Sequence, residues 1–152
     1  MENQTFKDFH VLIVDDDLAF LDLLEVMLGS IGIKTITRAD SGAQAFSAVT
    51  ELKRPVDCTI CDFKMSNGNG LQLLKIIRMG RVKFLRPDAC FILLTASGES
   101  EVVATAAQLD VNAYLIKPVT PDKLKTAIAK ARGKYFPVDF KKYAQVLVPE
   151  PS

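Results

Sequence analysis

The 152-residue sequence contains no apolar run near the roughly 18 residues that a membrane-spanning helix requires. Met1 to Phe9 is polar and lacks the hydrophobic stretch of a signal peptide. No membrane partner is expected, and a cytoplasmic location is. Charge of one sign is also missing: 19 Lys and Arg face 18 Asp and Glu, for a formal net charge of +1. That balance excludes whole-molecule attraction to nucleic acid or acidic lipid, so partners must be recognised by local surfaces. Cysteine is scarce, and three residues on apolar, strand-like runs argue against a disulfide framework. Cys58 and Cys61 spell C-x-x-C, but residues three apart on one strand point to opposite faces and no second pair exists, so neither zinc nor redox chemistry is expected. With 49% hydrophobic and 24% charged residues, the composition is globular. The length suits one domain with a real core and is too short for a second full domain.

Strand and helix signals alternate strictly, which predicts a parallel sheet covered by helices on both faces. Val11 to Val14 is a continuous apolar run, stopped by Asp15, Asp16 and Asp17; Leu18, Leu21, Leu24 and Leu28 then recur at helical spacing, with Gly29 and Gly32 at the exit. A second strand over Lys34 to Thr37 leads to Ser41, whose Gln44 three positions on forms a capping-box pattern for a short helix carrying Ala45, Val49 and Leu52. Val56 to Cys61 predicts the third strand, closed by Asp62. A turn with Asn67, Gly68, Asn69 and Gly70 precedes a helix with Leu71, Leu74 and Ile77. After the irregular stretch from Arg78 to Asp88, Cys90 to Thr95 reads as the fourth strand. Val102, Ala106 and Leu109 mark a weakly apolar fourth helix. Ala113 to Ile116 is the fifth strand, ending at Lys117-Pro118. Thr120 as N-cap and Pro121 at the first helical position start a last helix lined by Leu124, Ile128 and Ala131. The expected fold is thus α/β, a doubly wound (βα)5 arrangement of five strands and five helices.

In such a sheet all strands end at one edge, where ligands bind at the reversal of strand order. The residues at those ends are Asp15 and Asp16, Asp62, Thr95 and Lys117. Carboxylates gathered there repel: two unit charges about 4 Å apart cost about 4 kcal/mol at an effective dielectric of roughly 20. A cation is therefore expected among them, partly Lys117 and partly a hard, oxygen-seeking ion such as Mg²⁺ or Mn²⁺. This set matches phosphoryl transfer, in which the protein positions the group and neutralises charge on its oxygens. Asp62, central in the inferred pocket, is the natural nucleophile. Asp15 and Asp16 would hold the metal, Thr95 would donate its hydroxyl to a phosphoryl oxygen, and Lys117 would pair first with Asp62 and then with phosphate.

The ordered set Val14-Asp15-Asp16, Asp62 followed by Met65 and Gly70, Leu94-Thr95-Ala96 and Tyr114-Leu115-Ile116-Lys117-Pro118 resembles the CheY-like receiver domain of two-component response regulators, across about Phe9 to Arg132. The resemblance implies a flavodoxin-like sheet of strand order 2-1-3-4-5 and phosphorylation of Asp62 by a histidine kinase or histidine phosphotransfer protein. It implies Mg²⁺ held by Asp16, Asp62 and the main-chain carbonyl of Lys64, with Asp15 acting through water. It also implies a cis Lys117-Pro118 bond and a switch in which Thr95 moves toward phosphate while Tyr114 turns inward, changing the surface offered to a downstream protein target. Such a protein is a signalling phosphoacceptor rather than an enzyme, assisting its own phosphorylation and dephosphorylation. Two departures bear on this. Ser66 stands where the family commonly has proline, which alters loop stiffness, and Lys64 and Ser97 occupy the positions that tune loss of the phosphoryl group.

The remaining features have plainer readings. Asp17 is explained as a first-turn helix acid, and His10, at the opposite sheet edge, as structural or solvated. Lys75, Arg78, Arg81, Lys83 and Arg86 read as a solvated helix end and loop, so direct nucleic-acid binding is not expected. Residues 1–8 are expected to form an N-terminal tail, 9–132 the receiver and 133–152 an extension. Tyr135, Phe136, Phe140, Tyr143 and Val146 to Val148 make that extension too apolar to hang in water, so it folds back on its own domain or serves as a docking or homodimer segment. Three rival functions stand beside the switch: a phosphorelay shuttle or phosphate sink, a receiver-fold binding module that needs no phosphorylation, and a haloacid-dehalogenase-like phosphatase using Asp15 and Asp17 as a D-x-D pair. The last leaves Asp62 unexplained and lacks a further acidic strand end.

Overall fold

The structure, a computed structural model, describes residues 6–66, 68–96 and 98–149. Its main sheet contains β1 (His10–Val14), β2 (Thr35–Ala39), β3 (Cys58–Asp62), β6 (Cys90–Thr95) and β7 (Ala113–Ile116), all parallel, in the order β2-β1-β3-β6-β7. Counted within the sheet, this is the expected 2-1-3-4-5. The order follows from burial. The largely apolar strands β1, β3 and β6 are buried at every residue and take the centre, whereas β2 and β7, whose residues are mostly half-buried or exposed, take the edges.

Strand alternation divides the core in two. Leu12, Val14, Cys61, Phe91 and Leu93 face the helices α2 (Gly42–Leu52), α3 (Gly70–Arg78) and α4 (Ser100–Gln108). Val11, Ile13, Cys58, Ile60 and Ile92 face α1 (Leu18–Ser30) and α5 (Pro121–Ala131). Cys58 and Cys61 therefore lie on opposite faces, and all three cysteines are free and buried. The inner stripe of α1 is Leu21, Leu24, Met27 and Leu28, while Leu18 points outward at 61% exposure.

Side chains fix the helix starts. Asp17, Ser41, Asn69, Thr120 and Asp139 each accept a bond from a backbone N–H three residues on. At α2 the capping box is only half made, because the Gln44 side chain accepts from the N–H of Asp40 rather than that of Ser41. At 11 residues, α2 is as long as α5 and not short.

Three elements, two short strands and a helix, exceed the expected five strands and five helices. Part of the predicted turn is a two-stranded antiparallel ribbon, β4 (Lys64–Met65) with β5 (Gly68–Asn69); Asn67, like Ser97, lies outside the described residues. The extension forms α6 (Phe140–Gln145) and packs on the α3 and α4 side, burying Tyr143 and Val146. Of the stretch expected to be an N-terminal tail, 1–5 lie outside the described residues and Phe6 is 1% exposed in the core, beside Phe9 and Arg132.

One reading is corrected. Arg78 is not part of a solvated basic surface: it is fully buried, and its guanidinium donates to the carbonyls of Leu109, Pro87, Ala89 and Asp110 and to Asn112 Oδ1, at 2.8–2.9 Å. Phe136 of the extension lies against it, 4.7 Å from the guanidinium carbon. Burial lowers the Arg78 pKa to about 10, which still leaves it charged at neutral pH. Four backbone carbonyls and one amide oxygen thus replace water around a cation. Arg81, Lys83 and Arg86 are exposed as expected. His10 is structural, buried at the start of β1 between the Pro55 carbonyl (2.8 Å) and Thr37 Oγ1 (2.7 Å).

Candidate functional site

The C-terminal sheet edge gathers the polar strand ends. Asp15 follows β1 directly and is buried; its Oδ1 accepts from the N–H of Asp17 at 2.9 Å, which turns the chain into α1. Asp16, next along, is exposed and accepts from the N–H of Ser66 at 2.7 Å, tying the first loop to the turn of the small ribbon. Asp62 is the last residue of β3 and is 8% exposed. One carboxylate oxygen from each of Asp15, Asp16 and Asp62 lies within 4.8 Å of the others. Lys117 Nζ reaches in from beyond β7, 3.2 Å from Asp15 Oδ2 and 3.1 Å from Asp62 Oδ1. It also sits 4.1 Å from the centre of the Phe20 ring. The Lys117-Pro118 bond is cis.

These groups are electrostatically frustrated. Burial, and then the charge of Asp15, raise the Asp62 pKa to about 6 despite the opposing pull of Lys117. Asp15 is also pushed up, first by burial. Burial disfavours the charge on Lys117, but Asp62 and Asp15 together outweigh it and hold the ammonium above its usual range. Both directions follow from one cation shared by two buried carboxylates: the lysine gains two partners, while each acid has half a partner. The unmet demand is for more positive charge, offered oxygen donors only. That donor set fits Mg²⁺ or Mn²⁺ and disfavours zinc.

The predicted residues fall into two groups. Asp15, Asp16, Asp62 and Lys117 come together. Thr95 ends β6, buried, and its carbonyl accepts from the N–H of Lys117 at 2.8 Å. Lys64 follows Asp62 by two residues with its side chain exposed. Tyr114 stands on β7, paired with Leu93, and is 41% exposed; it lies outside the acidic cluster, facing solvent. Asp17 is structural, but as the N-cap of α1 rather than as an acid within its first turn.

Two further residues shape the site. Phe20 packs under Lys117, and its only sequence signal is its place in the first turn of α1. Gly70 abuts the end of β3: a Cβ there would lie 2.5 Å from the Asp62 carbonyl and 2.9 Å from Leu93 Cδ1. Its N–H donates to Phe63 O at 2.8 Å, so α3 begins in direct contact with the end of β3.

Comparison with known proteins gives concordant results. The family described as the response regulator receiver domain matches residues 11–129. The probable chemotaxis protein CheY of Rhizobium etli is 39% identical over 123 residues, covering 81% of this chain and 92% of that one. The transcriptional regulatory protein GlrR of Escherichia coli is 33% identical over 142 residues, 93% of this chain but 30% of the regulator. Among solved structures, a CheX–CheY–BeF3–Mg complex from Borrelia burgdorferi superposes with a TM-score of 0.73, covering 83% of this chain and 90% of that one, at 23% identity. At that identity the likeness speaks to fold.

Proposed function

This chain belongs to the response regulator receiver domain family of two-component signalling, and we propose that within it Asp62 accepts a phosphoryl group. The observation that carries this reading is the cluster of Asp15, Asp16 and Asp62 around the single ammonium of Lys117. In the transfer, a carboxylate oxygen of Asp62 forms a bond to phosphorus as the donor's P–N bond breaks and the departing imidazole regains its lone pair. Lys117, already 3.1 Å from Asp62 Oδ1, is placed to follow the charge onto the phosphoryl oxygens. Thr95, at the adjacent strand end, is assigned the hydroxyl donor, and Tyr114 the outer switch position. The donor is a histidine kinase or histidine phosphotransfer protein, and the reader a downstream protein.

Mg²⁺ would be held by Asp16, Asp62 and the Lys64 carbonyl, with Asp15 nearby, and would neutralise charge on the transferred group. The magnesium and beryllium fluoride of the Borrelia CheY complex support this assignment by analogy. We read 9–132 as the receiver body and 133–152 as an extension, of which segment 140–149 packs on that body. The buried, hydrogen-bonded side of that extension supports fold-back over homodimer formation.

The test is mass spectrometry after incubation with Mg²⁺ and acetyl phosphate. The expected result is one added phosphoryl group in wild type and none in Asp62→Asn. Adduct surviving in the variant, or none in wild type with either this donor or a competent histidine kinase, would refute the assignment. Turnover of a phosphate ester abolished by Asp15→Asn alone would favour the phosphatase chemistry instead.

A further inference from the structure

The C-terminal extension does more than cover apolar surface. Its course runs antiparallel to α3. A Cβ built on Gly80, beyond the C-terminal end of α3, would lie 3.7 Å from Phe140; Lys75 Nζ, midway, donates to Val146 O at 2.8 Å; and Asn69, at the N-terminal end, donates from Nδ2 to Pro149 O at 2.7 Å. The segment thus travels from the far end of α3 to the edge that holds the acidic cluster.

Asn69 is where it arrives. This residue is 2% exposed and caps α3 in a complete capping box: its Oδ1 accepts from Gln72 N at 3.0 Å, and its own N–H donates to Gln72 Oε1 at 2.9 Å. Capping needs only that oxygen and that N–H, so serine or threonine would serve. The amide Nδ2 is the part that capping leaves over, and it is the part bonded to the extension. Asn69 also pairs with Lys64 across the ribbon. The other side of the ribbon is tied to the acidic cluster by the Ser66 N–H to Asp16 Oδ2. Val148 packs against the same core cluster as Phe63.

We propose that segment 140–149 is a positioning element for the phosphoacceptor loop, with Asn69 as its positioning residue: docking along α3 holds the ribbon that carries Lys64 in place beside Asp62. The role of Lys64 rests on the function proposed above; the mechanical link between extension and ribbon does not. Such a link is reciprocal, so an occupant of the acidic cluster tightens the extension as much as the extension favours the occupant.

Two full-length variants test this. Asn69→Ser keeps a capping oxygen and removes the amide donor. Lys75→Met removes the donor to Val146 and Ala144 and touches neither cap nor cluster. Amide hydrogen exchange is measured without metal, and the Mg²⁺ dissociation constant by NMR titration. Both variants are expected to quicken exchange at Val146 and Leu147 and, across the link, at Lys64, Met65 and Asn69. Asn69→Ser should weaken Mg²⁺ binding about three- to tenfold, the range for one lost neutral hydrogen bond. Lys75→Met should weaken it too, which runs against simple electrostatics, since losing a cation favours a bound cation.

Unchanged exchange in the ribbon, or Mg²⁺ binding tightened by Lys75→Met, would overturn the proposal. Wild type that bound no Mg²⁺ would overturn the metal part of the proposed function, while the exchange data alone would then support or overturn the link.

Discussion

Replacing Asp62 by asparagine removes the proposed phosphoacceptor, and the electrostatics of the site predict that it also stabilises the fold. The sign follows from the direction of the shift. Burial and Asp15 raise the Asp62 pKa from 3.8 to about 6, so between those values the folded protein holds a proton that the unfolded chain has lost. For an acid shifted upward, wild-type stability is unaffected below about pH 4, declines through the window from 3.8 to about 6, and carries the full penalty above it. A shift of about 2 units at 1.36 kcal/mol each gives on the order of 3 kcal/mol at pH 7.5 and about 1 kcal/mol at pH 4.5. Asparagine is close in shape to the protonated acid and escapes that penalty. Urea unfolding in EDTA, followed by far-UV circular dichroism, should therefore show Asp62→Asn more stable than wild type at pH 7.5, with the margin shrinking about threefold by pH 4.5. In thermal melts the neutral-pH margin corresponds to roughly 6–12 °C. Adding Mg²⁺ should narrow the gap by stabilising wild type more than the variant. A variant no more stable than wild type at pH 7.5, or a margin indifferent to pH, would refute the account of a frustrated acidic cluster.

Other perturbations have equally definite outcomes. Arg78→Lys should destabilise by about 2–4 kcal/mol in urea titrations, because an ammonium offers three donors where the guanidinium makes five bonds; a cost below about 0.5 kcal/mol would show that those carbonyls are satisfied otherwise. Gly70→Ala should cost about 1–3 kcal/mol and slow phosphorylation together, since the new Cβ presses on the Asp62 carbonyl; a neutral effect on both would place α3 farther from β3 than the 2.5 Å approach allows. Tyr143→Phe removes the 2.7 Å bond to Asp110 Oδ2 and should lower stability by about 1 kcal/mol in urea unfolding; an unchanged midpoint would show that this bond contributes nothing net to the docking of α6.

Much of the molecule was legible in one dimension because its signals are local. Three largely apolar runs, each closed by an acidic or hydroxyl residue, announce central strands of a parallel sheet and the chemistry at their ends. Parallel geometry then brings Asp15, Asp62 and Lys117 to one edge whatever the helices do in detail. The ribbon and α6 were illegible for the converse reason: two-residue strands and a six-residue helix are shorter than the window in which periodicity can be heard.

What the sequence alone determined is therefore the alternation of elements, the buried centre of the sheet and the identity of the strand-end acids and lysine, since each depends on a residue and its near neighbours. Only tertiary structure decided which charges are solvated and which are held. Arg78 is spelled like its neighbours in a basic stretch, yet it is fully buried because carbonyls from two distant turns and the extension's Phe136 converge on it. Asn69 likewise reads in sequence as an ordinary turn residue, and its spare amide has meaning only because Pro149, 80 residues away, comes to rest against it. Contacts between distant parts of the chain leave no local pattern to read.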